Sequence, residues 1–254
     1  HLIPKREGVT GPPPRLKKEE IRMKRFSTLL IIWLALIAAL PAGAQGHPAD
    51  AYFDGAVFVG DSIMQQIGRY KMEQGEKGRP ILGNARFMTV SSYTLYQGSR
   101  VTPLEHKAAL RYAGRKVSLA DALKKMEARK AFILLGLNDQ AGSRLDQEML
   151  MYTRLIERAR DKNPGVELII LSLTPITRGA QTKALNQKNF DAFNQRLESL
   201  CETLGVLFLD VATPLKDEDG FLSKAYAQDG RVHLSQEGMA VFVKALYAFA
   251  EGRH

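Results

Sequence analysis

Between residues 56 and 250, short apolar runs alternate with segments whose apolar positions recur every three to four residues. The runs are Ala56-Val57-Phe58-Val59, Ala85 to Val90, Lys130 to Gly136, Glu167 to Leu173 and Val206 to Val211. Their length and β-branched content predict buried strands. Ile63, Ile67 and Tyr70 share one helical face, and Leu119, Ala122, Leu123 and Met126 share another behind a capping Ser118. Further helices are predicted from about Leu145 to Asp161, from Asn186 to Leu204 and from Ser235 onward, with Asn163-Pro164-Gly165 and Gly205 as stop signals. Alternation at this spacing specifies right-handed βαβ units. The expected fold is therefore a three-layer α/β sandwich around a central, mostly parallel sheet. Residues 101–117 fit either a hairpin arm or a weak helix and are read as a small excursion outside that sheet.

The amino-terminal pattern is different. Met23-Lys24-Arg25, an apolar run from Leu29 to Leu40 and then Pro41-Ala42-Gly43-Ala44 have the layout of a secretory signal peptide cleaved after Ala44. At about 1.5 Å per residue the run spans about 18 Å, well short of a hydrocarbon core of about 30 Å. The expectation is an extracytoplasmic protein, periplasmic or secreted, that meets the membrane only transiently during export. Residues 1–22, with Pro12-Pro13-Pro14 and no apolar period, read as a disordered or non-native upstream segment. Residues 45–54 read as a short linker, and residues 55–252 as the folded domain.

Charge changes the picture little once the ends are separated. The chain has 36 basic and 27 acidic residues, of which 8 and 3 lie in residues 1–44, leaving 28 against 24. A small excess of this kind does not argue for nucleic acid or an anionic surface as partner. Cys201, the single cysteine, sits in a helical run, where it reads as a buried small hydrophobe. No His-Glu-x-x-His or paired-cysteine pattern occurs, so no metal or other cofactor is expected.

Candidate chemistry gathers at the strand ends. In a parallel sheet, ligands sit beyond the carboxyl ends of the strands, where Ser62, Ser92, Asn138 and Thr174 fall. Ser62 follows the first strand at the start of a helix, a position that suits a serine nucleophile and the oxyanion it generates. A plain helix cap by Asp61 or Ser62 explains the same triplet. His233, one of two histidines in the presumed domain besides His106, supplies a base, and Asp229 is the nearest carboxylate that could fix its tautomer. The other reading of Asp229 to His233 is an ordinary surface loop ahead of a helix.

Taken together, Gly60-Asp61-Ser62, Gly136-Leu137-Asn138-Asp139 and Asp229-Gly230-Arg231-Val232-His233 resemble the first, third and last blocks of the SGNH (GDSL-like) hydrolase superfamily. The resemblance spans residues 55–250 and implies a flavodoxin-like α/β hydrolase fold. It also implies Ser62 as nucleophile, His233 as base, Asp229 as acid, and an oxyanion hole from Ser62, Ser92 and Asn138. Asp61 and Thr174 are expected to touch substrate. Two departures stand out. Ser92 occupies the place where the family's second block usually has glycine, and three residues separate Asp229 from His233 where the family has two. The longer spacing leaves open a dyad in which a backbone carbonyl orients His233. The function implied is an exported serine esterase acting on acetyl or other short acyl esters of a small molecule, a glycan or an envelope polymer. The alternatives are a lipase, lysophospholipase or thioesterase, or a silent glycan-binding module of the same fold.

Overall fold

The computed structural model describes residues 46–103, 105–140 and 144–253. The predicted leader and upstream segment therefore lie outside the described residues. Five parallel strands, β1 (Ala56–Gly60), β2 (Arg86–Thr89), β3 (Lys130–Leu134), β4 (Glu167–Leu171) and β5 (Leu207–Leu209), form one sheet in the order β2-β1-β3-β4-β5. Every residue of β1 is buried, as are four of five in β3 and β4. That is why these strands read as continuous apolar runs rather than alternating ones.

The longer helices are α1 (Ser62–Glu76), α2 (Leu119–Lys125), α3 (Leu145–Lys162), α4 (Gln187–Leu204) and α5 (Gln236–Glu251). Right-handed crossovers fix their faces. The step from β1 to β2 runs one way along the sheet and the steps from β2 to β3, β4 and β5 run the other, so α1 lies on one face and α2, α3 and α4 on the opposite one. The last helix, α5, returns to pack beside α1. Strand order thus reverses at β1, and the crevice beyond its carboxyl end is the place where such sheets bind ligands. Ser118, Asn186 and Ser235 each cap the helix they precede through a side-chain oxygen.

Aromatic packing pins the register that matters for the site. Phe58 pairs with Phe87 on β2 and Phe132 on β3, and its ring stacks between them with centroids 4.9 and 4.5 Å away. The same register brings Gly60 opposite Leu134. A Cβ on Gly60 would lie 2.6 Å from the Met64 Cβ and 2.8 Å from the Leu134 carbonyl. Only glycine lets the chain turn from β1 into α1 this close to β3.

One boundary needs correction. The segment read as a linker over 45–54 is, from Gly46, part of the folded body: Pro48–Phe53 is a 3-10 helix with Ala49 and Phe53 in the core. Tyr247 on α5 donates to Asp50 Oδ1 at 2.6 Å, and the Phe53 ring meets those of Phe58, Phe132 and Tyr247. Pro48 and the charges nearby concealed the buried Phe53 and the half-buried Tyr52 beside it. The ambiguous segment after Val101 contains a two-stranded antiparallel hairpin, Arg111–Tyr112 with Arg115–Lys116, outside the main sheet. Cys201 is fully buried on α4, and burial pushes its thiol up to about 12. Among the described residues no helix is long and apolar enough to cross a membrane.

Candidate active site

Ser62 is the first residue of α1, and Asp61 is its N-cap. The Asp61 side chain accepts the Ile63 N–H at 2.9 Å through Oδ1, leaving the Ser62 hydroxyl free of capping duty. The cap and nucleophile readings of this triplet therefore describe neighbouring residues. Ser62 Oγ lies 3.1 Å from His233 Nε2, and His233 Nδ1 lies 2.6 Å from Asp229 Oδ2. Hydroxyl, imidazole and carboxylate form one continuous chain of hydrogen-bonding atoms, along which a proton can leave the hydroxyl for the ring.

The extra residue between Asp229 and His233 is accommodated by a compact turn. Asp229 Oδ1 accepts the backbone N–H groups of Arg231, Val232 and His233 at 2.8, 3.0 and 3.2 Å. Gly230 makes the turn possible by taking a φ of +67°, a conformation open to glycine at little cost. Thr177, from the loop after β4, donates its hydroxyl to the Gly230 carbonyl at 2.5 Å and its N–H to the Arg231 carbonyl at 2.9 Å. Burial works to raise the Asp229 pKa, but the His233 ring and the three backbone N–H groups outweigh it and hold the carboxyl below its ordinary range.

Gln66, one turn along α1 from Ser62, ties the two ends of the site together. Its Oε1 accepts the Leu234 N–H at 3.0 Å, and its Nε2 donates to the Leu234 carbonyl at 3.2 Å and to Gln228 Oε1 at 2.8 Å. The amide imitates a strand partner for the residue after His233, which fixes the imidazole relative to the serine. No motif pointed to Gln66. A glutamine on the buried face of an amphipathic helix, three residues from Ile63 and four from Ser62, was the available signal.

On the other side of Ser62, Asn138 Nδ2 donates to Asp61 Oδ2 at 2.9 Å and to the Tyr93 carbonyl at 3.3 Å. Its weaker bond, to Tyr93, is the one an incoming oxyanion can displace. Ser92 stands in the turn closed by the Tyr93 N–H onto the Val90 carbonyl. Its φ is +61°, the left-handed region that costs a side-chain-bearing residue roughly 1–2 kcal/mol. The glycine usual at this place in the resembling family is thereby explained by backbone geometry. Asp139, next to Asn138, accepts the N–H groups of Leu95 and Tyr96 at 2.7 and 3.1 Å. These open the short helix Leu95–Gly98, so one carboxylate couples the Asn138 turn to the Ser92 turn.

Ser62, Ser91, Ser92, Leu137, Asn138, Leu185, Val232 and His233 line an open cleft of about 490 Å³. Two residues expected to touch substrate do not reach it. Asp61 is fully buried beneath the cleft, where it orients Asn138. Burial pushes its carboxyl up to about 7, against the Ile63 N–H and His233, while Asp139 adds to the rise. Thr174 is buried at 2 % exposure; the strand-end rule selected the right loop, but Thr177, three residues on, makes the contacts that matter. His106 lies outside the cleft, its Nδ1 accepting the Ala108 N–H in a local turn.

The family model for the GDSL-like lipase/acylhydrolase family matches residues 58–241. Comparison with curated protein sequences gives no match. Among solved structures, a GDSL-like lipase from Bacteroides thetaiotaomicron superposes with a TM-score of 0.58 at 16 % identity, covering 78 % of this chain and 88 % of that one. A carbohydrate esterase of family 3 from Talaromyces cellulolyticus gives 0.53 at 15 % identity, with 78 % and 98 % covered. A mutant acetyl esterase with an acetate ion gives 0.52 at 14 % identity, with 78 % and 99 % covered. These likenesses establish the fold. The family match runs from the middle of β1 to the middle of α5 and contains the serine, asparagine, aspartate and histidine of the cleft, so the chain belongs to the GDSL-like lipase/acylhydrolase family and is an enzyme that hydrolyses ester bonds.

Proposed function

We propose that the protein is an exported esterase that removes acetyl or other short acyl groups, from a glycan or envelope polymer, through an acyl-Ser62 intermediate. The observation that carries this reading is the 3.1 and 2.6 Å chain from Ser62 through His233 to Asp229. His233 takes the Ser62 proton as the oxygen attacks the ester carbonyl, and Asp229 holds the imidazole in the tautomer that leaves Nε2 free to accept it. The backbone N–H groups of Ser62 and Ser92 with the Asn138 amide receive the oxyanion. The alcohol leaves with the proton from His233, and water then repeats the sequence to release the acid.

A short acyl group is favoured because, among the described residues, only Leu137, Leu185 and Val232 supply apolar lining beside Ser62 in an open cleft. The resemblance in fold to an acetyl esterase and to a carbohydrate esterase supports the same reading. Export rests on the leader-like pattern of residues 23–44.

Hydrolysis of 4-nitrophenyl esters from acetate to octanoate tests the proposal. Acetate or propionate should be the best substrate, and Ser62→Ala should lose at least about ten-thousandfold in kcat. A fluorophosphonate should label Ser62 and nothing in the alanine variant. A kcat/KM that climbs with every methylene, by up to about fourfold each, would assign the chain to long-chain lipids instead. Equal background rates in both proteins would remove the serine mechanism.

A further inference from the structure

A second and larger hollow, of about 570 Å³, lies between α3 and the segment that runs on from the Ser92 turn. Its lining includes Tyr96, Arg100, Val101, Leu150, Arg154 and Arg158, and among the described residues no carboxylate lines it. Leu150, Arg154 and Arg158 recur at helical spacing on α3, so they form one stripe that faces the hollow. Tyr96, Val101 and Leu150 are exposed at 49, 62 and 49 %, which gives the trough apolar surfaces between its cations. Arg100 donates to the Tyr96 hydroxyl at 2.9 Å and sits 5.4 Å from the centre of its ring, while its buried Nε has no hydrogen-bond partner among the described residues.

Elsewhere on α3 and its neighbours Lys162 meets Asp121, Arg196 meets Asp146, and Arg160 donates to the Leu204 and Gly205 carbonyls. Among the described residues, Arg100, Arg154 and Arg158 form no ion pair. Arg154 and Arg158 are one helical turn apart, where like charges repel. An anion bridging them relieves that repulsion, and guanidinium groups match carboxylate or phosphate through paired N–H donors. One hydrogen bond links the lining of the trough to the Asn138 turn of the cleft. Tyr96 donates its N–H to Asp139, the residue after Asn138, and the intervening chain is the Ser92 turn.

We infer that this trough is a subsite for an acidic glycan, holding anionic sugar residues of a polymer whose neighbouring acyl ester lies at Ser62. The inference rests on the esterase reading above and adds to it the charge of the substrate. A concave trough with hydroxyl and amide groups among the arginines suits an extended polar chain. An anionic membrane surface would instead call for cations on a protruding face.

Three measurements test the inference using the full chain and Arg154→Gln/Arg158→Gln, which lies outside the catalytic machinery. First, hydrolysis of 4-nitrophenyl acetate should be equal in the two proteins. Second, KM for acetylated polygalacturonate should rise about ten- to a hundredfold in the variant with kcat unchanged, whereas KM for neutral acetylated xylan should not move. Third, affinity electrophoresis should show polygalacturonate retarding the unmodified protein at low salt, with the effect lost in the double variant and at 0.5 M sodium chloride. Equal KM values for the polyanion in both proteins would overturn the subsite. So would arginine-dependent binding to phosphatidylglycerol vesicles without retardation by polygalacturonate. Failure of the esterase reading is separate: it would appear as no hydrolysis of any ester by the unmodified protein, and the electrophoresis would still decide whether the trough binds the polyanion.

Discussion

The serine end and the histidine end of the cleft are built by different forces. Ser62 and Asp61 stand where β1 meets α1, held by a buried strand, the Phe87–Phe58–Phe132 stack and the close approach at Gly60. His233 stands in a partly exposed turn whose order comes from hydrogen bonds: three to Asp229 Oδ1, two from Thr177 and two through the Gln66 amide to Leu234. Apolar burial holds the nucleophile on a strand that must be there for the fold to exist, and the one polar cost is the buried Asp61 carboxyl. Each polar bond of the histidine turn contributes only about 1 kcal/mol net. Substitutions at the histidine end should therefore affect turnover more than stability, and those at the serine end should affect stability as well.

After the loss of Ser62 itself, the largest expected effect is at Asp229. Asp229→Asn keeps an oxygen for the backbone turn but loses the charge beside Nδ1, and kcat should fall about a thousand- to ten-thousandfold with little change in the thermal midpoint. Asp229→Ala removes both jobs and should add a loss of roughly 1–3 kcal/mol. If the two variants unfold alike in urea, the three N–H bonds do not hold the turn.

Next comes Asp61, where the serine end should show its burial. Its folded pKa is raised to about 7, so the stability linked to its neutral form is complete below the unfolded value near 4 and is lost as pH rises through about 7. Asp61→Asn should remove that dependence. Its stability relative to the unmodified protein should climb between pH 4 and pH 7, by on the order of 4 kcal/mol, and then level off. Turnover should fall about ten- to a hundredfold, because Asn138 loses the carboxylate that aims its amide. Urea midpoints at a series of pH values, read beside kcat, would expose a gap independent of pH if burial does not govern this group.

The smallest effect is expected at Ser92. Ser92→Gly relieves a left-handed backbone and should stabilise by about 1 kcal/mol, leaving kcat within about twofold. A large loss of activity would instead mean that the Ser92 side chain, and not the backbone alone, takes part.

Much of this architecture was legible because it depends on period and order. Five apolar runs separated by amphipathic segments specify a parallel sheet with helices on both faces, and Ser62, Asn138, Asp229 and His233 lie where strands end or the last helix begins. What escaped notice depended on depth and direction. Asp61 and Thr174 sit in the correct loops but point inward, and nothing in a linear pattern separates a carboxylate beneath a cleft from one facing it. Gln66 resembles any polar residue on a helix until Leu234 is placed opposite, 168 positions later in the chain. The supposed linker misled because Pro48 and its charged neighbours outweighed the apolar content of Tyr52 and Phe53.

The carboxylate of Asp229 has one oxygen committed to folding its own loop and the other to the ring of His233. In the proposed mechanism this joins two properties in one side chain: whenever the loop is in shape, it is also armed. Warming or mild denaturant that loosens these few residues should silence the enzyme while the sheet behind them is still intact.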